Sequence, residues 1–92
     1  MPVQTYSYDL AEDVRTQVVP PNTQPQQVII HNHEHNLAKE IFVGNSSVTV
    51  NNGLHVVAKE TYIFDLGPGD SLYAISTENG TVNLRVMVVT QD

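Results

Sequence analysis

Three histidines stand at alternate positions in His31-Asn32-His33-Glu34-His35, and Glu40 follows five residues after the last of them. Side chains two apart on an extended strand project to one face, so this spacing can bring imidazoles to a shared metal ion. Nitrogen ligands of this kind suit zinc or nickel. A tract so rich in Asn and Glu also reads as a solvated loop between strands. As such a loop it is expected to hold no metal or cofactor, and no catalytic residue is expected in the chain. Asp65 and Asp70 lie close enough in sequence to share calcium, but acids beside a turn ordinarily serve as solvated caps. There is no cysteine and no Gly-x-Ser-x-Gly elbow, and the Gly67/Gly69 pair lacks the helix and lysine of a phosphate cradle.

The elements that must position these residues are strands. Val, Thr, Ile, Tyr and Phe cluster in short runs punctuated by Asn, Gly, Pro and Asp. The pattern predicts strands at 3–8, 14–19, 26–31, 39–43, 47–50, 54–57, 60–66, 71–77 and 81–89. Asn79-Gly80 is the pair a two-residue hairpin turn demands, and it sets Ile75 opposite Leu84 and Tyr73 opposite Val86. Gly67-Pro68-Gly69-Asp70 is a turn, and Asn51-Asn52-Gly53 is a second. From Lys39 onward the chain reads as an antiparallel meander or Greek key. Asp9 to Glu12 fits either one capped helical turn or an irregular crossing. Asn45-Ser46-Ser47 and Asn79-Gly80-Thr81 match the glycosylation sequon and are read as turn residues. The predicted fold is all-β, a small antiparallel β-sandwich of Greek-key or jelly-roll type. It forms one domain over residues 1–92, with 1–22 as an N-terminal arm and linker, residues 1–20 pairing either with the domain's own sheet or with a neighbouring subunit, and 26–92 as the sandwich body.

Composition narrows the partners. Ten acidic residues face four basic ones, Arg15, Lys39, Lys59 and Arg85, for a net charge of -6. Nucleic acid and anionic membranes both require clustered cations, so neither is expected. No apolar run approaches the roughly 20 residues of a membrane span, and the first residues show no signal-peptide pattern. Only 40% of the 92 residues are hydrophobic, a thin core that favours self-association. An arm or edge strand can supply backbone hydrogen bonds to a neighbour while alternate side chains supply area. Val3, Tyr6, Tyr8, Val18 and Val19 are therefore the expected interface with sister subunits or a larger protein assembly. The tyrosines also fit a sugar platform or half-buried packing.

Two resemblances bear on function. The spacing His33-x-His35-x4-Glu40 is similar to the metal-ligand spacing of cupins, and Gly67-Pro68-Gly69-Asp70 resembles the turn common in that family. Here the turn follows the histidines instead of preceding them, Gln27 stands where the motif has glycine, and no histidine follows Asp70. The second resemblance covers residues 14–89. Thr16-Gln17-Val18-Val19-Pro20, Gln27-Val28-Ile29-Ile30-His31-Asn32 and Glu40-Ile41-Phe42-Val43-Gly44-Asn45-Ser46 occur in order. They are followed by Val48-Thr49-Val50, Asn52-Gly53-Leu54, the run from Gly69 to Ser76, and Val82-Asn83-Leu84-Arg85-Val86. This ordered set resembles small β-sandwich virion proteins of tailed bacteriophages. The resemblance implies a head decoration protein on the outer capsid surface, made in the bacterial cytoplasm. It also implies the major capsid protein as partner and a homo-oligomer, with a trimer favoured. It carries no catalytic residue. The alternatives are a glycan- or host-surface-binding module of a head fibre or tail, and a cupin-like metal protein.

Overall fold

A computed structural model describes residues 3–36, 38–76 and 81–90. Its eight strands are β1 (Val3–Ala11), β2 (Thr16–Val19), β3 (Gln26–Asn32), β4 (Ile41–Gly44), β5 (Leu54–Val56), β6 (Thr61–Leu66), β7 (Leu72–Ser76) and β8 (Thr81–Thr90). One sheet, A, has the order β1-β8-β3-β6, and the other, B, has β2-β7-β4-β5. All the ladders are antiparallel. First therefore pairs with last, second with seventh, third with sixth and fourth with fifth. This is a long hairpin rolled on itself, the eight-stranded jelly roll.

The interior is aliphatic. Sheet A contributes Leu10, Val28, Ile30, Val82, Leu84, Val86 and Val88, and sheet B contributes Val18, Val19, Ile41, Val43, Val56, Leu72 and Ala74. Tyr8, Tyr62, Phe64 and Leu66 pack against its margin. Each fully buried Val, Leu or Ile contributes about 1.5 to 3 kcal/mol, so the core owes its stability to many small terms.

Several expectations are corrected. The Asn79-Gly80 turn lies outside the described residues, but the strands flanking it do not pair. β7 runs between β2 and β4, and β8 between β1 and β3, so the chain crosses from one sheet to the other between Ser76 and Thr81. In the expected hairpin Ala74 and Leu72 would have shared a face with Arg85 and Met87. In opposite sheets, Leu72 and Ala74 meet the same interior as Val82, Leu84, Val86 and Val88. The meander from Lys39 fails similarly, because β6 pairs with β3 and β7 with β4.

Residues 47–50 form a turn, not a strand. The Asn45 side chain accepts from Ser47 N at 2.9 Å, and Thr49 O accepts from Gly53 N at 2.9 Å. Such local bonds draw the backbone away from a ladder, while Val48 stays buried.

Residues 9–11 belong to β1 and are not helical. Asp13, with φ of 57°, turns the corner, and its N–H donates to Ser76 O at 2.7 Å as the chain passes into sheet B. Of the two alternatives for the arm, pairing with the domain's own sheet is the one seen: β1 pairs with β8 over nine residues and buries Leu10.

Candidate functional site

The buried positions of β3 are Gln26, Val28, Ile30 and Asn32, which turns His31 and His33 outward. His31 and His33 lie along one side, as the alternation required, with ring centroids 5.5 Å apart and edge-on; His33 and His35 are 6.5 Å apart. The other proposed ligands are occupied elsewhere. His31 Nδ1 is 2.9 Å from Thr61 Oγ1, and Glu34 accepts from the Asn83 backbone N–H at 2.8 Å. Glu40 pairs with His55 Nε2 instead of turning toward His33 and His35. Among the described residues no three His, Asp or Glu side chains are grouped to hold one metal ion. The cupin-like ligand set therefore does not fit this arrangement. The inward position between His31 and His33 is Asn32, whose Nδ2 donates to Lys39 O at 2.9 Å and Val56 O at 3.0 Å.

The cluster around His55 was not anticipated. β4 and β5 set Phe42 opposite His55, and the rings stack at 4.8 Å with 11° between planes. The turn at Asn51-Asn52-Gly53 leads directly into β5 and marks where its pairing with β4 begins. Both members of the Glu40–His55 pair are more than a third exposed or close to it, so the pair contributes at most about 1 kcal/mol.

The outer face of sheet A carries a more continuous arrangement. Its registers lay out three rows across the strands. Val3, Val89, Gln27 and Asp65 form one; Thr5, Met87, Ile29 and Ile63 form the next; Ser7, Arg85, His31 and Thr61 form the third. Ile63 is 63% exposed and Val3 is 57% exposed. A shallow depression of about 410 Å³ lies over this face, lined by residues of β1, β3 and β8 that include Ser7, Ile29, His31, Arg85 and Met87.

The expected interface residues divide. Val3 and Tyr6 are exposed at the start of β1, with Tyr6 ring to Tyr8 ring at 6.1 Å. Tyr6, Tyr8 and Leu10 alternate along one side of β1 and pass from exposed to half-buried to fully buried as the strand enters the sandwich. Burial pushes the Tyr8 hydroxyl above its usual pKa of 10.0, with Tyr6 adding to the effect. Val18 and Val19 are corrected: both are 0% exposed and lie in the core, so neither reaches a partner. A register shift between Gln17 and Val19 breaks the alternation, which is why two successive valines both point inward.

The paired acids do not form a calcium site. Asp70 accepts from Gly67 N at 3.0 Å and closes its own turn, while Asp65 lies on the exposed face of β6. Asn45 serves its turn, and Asn79 lies outside the described residues.

No known protein-family model matches the sequence, and no curated protein does. Solved structures are similar in fold. The Cupin_2 domain of an XRE family transcriptional regulator from Enterobacter cloacae has a TM-score of 0.66 at 8% identity, over 98% of this chain and 83% of that one. A subunit of Bacillus endospore appendages, described as disulfide-linked pili, has a TM-score of 0.60 at 10% identity, over 99% and 87%. At such identity the likeness establishes the β-rich jelly-roll fold alone.

Proposed function

We propose that this chain is a structural module that works through its outer surface, assembling with copies of itself and onto a larger protein shell. In its most specific form it is a decoration protein of a tailed-phage capsid. The observation that carries the reading is the contrast between the two ends of β1. Its far end is closed into an aliphatic core at Leu10, while its beginning leaves Val3 and Tyr6 exposed at a sheet edge.

That edge is long and poorly defended. β1 has nine residues where the mean strand has about 5 to 6, with no Lys or Pro and a single charge, Asp9. Short length, edge lysines and prolines are the usual protections against strand addition. The edges of sheet B are shorter, β2 with four residues and β5 with three. A protein of this kind acts by binding free energy alone, stabilising whichever assembled state it recognises.

The ordered resemblance over residues 14–89 supports the virion form of the proposal. The jelly roll is a fold that capsid proteins, lectins and cupins share, so it is compatible with that form without selecting it. The endospore-appendage likeness supports the broader idea of a self-assembling subunit. With no cysteine, assembly of this chain would involve no disulfide of its own.

The test is copurification from the native genetic background. The tagged chain is expected to band with large protein particles through density centrifugation. Recovery only as free protein contradicts the proposal. Stoichiometric metal in purified protein, lost on His33→Ala, would instead favour the cupin-like alternative.

A further inference from the structure

We propose that the depression on the outer face of sheet A is a binding site for a small organic carboxylate with an apolar body, and that Arg85 receives the carboxylate. This goes beyond an assembly role and does not depend on it.

Arg85 lies on β8, inside the sheet, between Ser7 on β1 and His31 on β3. The chain has ten carboxylate side chains against four cations, yet among the described residues no carboxylate lies within ion-pair distance of Arg85. The guanidinium is held by a neutral group. Its Nε donates to Asn83 Oδ1 at 2.8 Å.

Asn83 is fixed in turn. Its Nδ2 donates to Ser7 Oγ at 2.9 Å and Asp9 Oδ1 at 3.0 Å, and its backbone N–H donates to Glu34 at 2.8 Å. Two nearby acids are thus occupied by Asn83, Asp9 by its side-chain amide and Glu34 by its backbone N–H, and the amide orientation that serves Ser7 and Asp9 presents its oxygen to Arg85. A guanidinium tethered through Nε keeps its two terminal nitrogens as a planar fork, the geometry that meets both oxygens of a carboxylate.

Ser7 adds a second donor. Its oxygen accepts from Asn83, which leaves its hydroxyl hydrogen to give to an anion. The adjacent row supplies the apolar wall, Ile29 and Met87, both half-buried and lining the same depression. About 410 Å³ is within the usual range of small-ligand sites. An anion without an apolar part uses only half of this surface, and an apolar molecule without a charge leaves the fork unanswered.

The test is an amide NMR titration of the full chain with hexanoate, using hexanol and acetate as controls. Saturable shifts are expected at Ser7, Ile29, Arg85 and Met87, with hexanoate binding about ten-fold or more tightly than either control. Arg85→Gln should lose about ten-fold or more in affinity with the rest of the spectrum unchanged, Arg85→Lys should fall between, and Ser7→Ala should weaken binding less. Equal binding of hexanol, shifts scattered over the surface, or full affinity in Arg85→Gln would overturn the proposal. So would the same shifts appearing on concentrating the protein alone, since the carboxylate would then come from a second copy.

Discussion

The side-chain amide of Asn32 on β3 donates to the carbonyl of Val56 on β5 at 3.0 Å and thereby ties sheet A to sheet B. The same nitrogen donates to Lys39 O at 2.9 Å, and the residue is fully buried. Replacing Asn32 with Ala leaves those two carbonyls without this donor. A loss of about 2 to 4 kcal/mol is expected in denaturant unfolding. A midpoint unchanged from the parent protein would show that the tie carries no stability.

Two glycines should respond differently to alanine. A Cβ on Gly53 would lie 2.8 Å from both Phe42 Cβ and Val48 Cγ2, so something in the β4–β5 hairpin must shift. A cost of about 1 to 3 kcal/mol is expected, as in overpacked cores. Gly69 has open space around its Cβ position, but its φ of +84° is unfavourable to any L side chain. Alanine there should cost about 1 kcal/mol, from backbone strain alone. Thermal unfolding of the two variants distinguishes steric from conformational demand.

Stability should fall at high pH through Tyr8 and Tyr62. Burial raises the Tyr8 pKa, and the hydrogen bond to Glu60 raises that of Tyr62, both from a usual 10.0. The neutral phenol is favoured in the folded state. Its contribution is therefore complete below pH 10 and lost as pH rises through the folded values. Denaturant midpoints should decline across that range, and Tyr8→Phe should flatten part of the decline. An identical slope in the variant would exclude Tyr8 as a source.

Truncation should unfold the protein instead of trimming an arm. Removing residues 1–12 deletes Leu10 from the core and strips β8 of one of its two ladder partners. Leu10→Ala alone is expected to cost about 2 to 5 kcal/mol. A truncated chain with cooperative unfolding near the parent midpoint would show that β1 is dispensable.

The strand set was largely legible because alternating apolar residues and Asn, Gly or Pro turns report strand and face locally. Which sheet a strand joins is not local information. Leu72, Ala74, Val82 and Leu84 bear the same pattern whether β7 and β8 pair or face each other across a core, and the hairpin expectation failed on that ambiguity. The histidines repeat the lesson: spacing put His31 and His33 on one side but could not say that Asn32 holds the inward one. At Val18 and Val19 an irregularity in register overrode period two, and apolar character read as a contact surface was core. Arg85's environment depends on pairings 54 and 78 residues distant in sequence, His31 and Ser7, which no window of sequence displays.

Assembly through β1 is read out by sedimentation equilibrium over a wide range of protein concentration. A concentration-dependent species larger than the 10.2 kDa chain is expected, with a lysine-bearing edge, Val3→Lys combined with Tyr6→Lys, returning it to a monomer that still unfolds cooperatively. A single 10.2 kDa species at every concentration, or undiminished association in the lysine variant, would contradict assembly through β1.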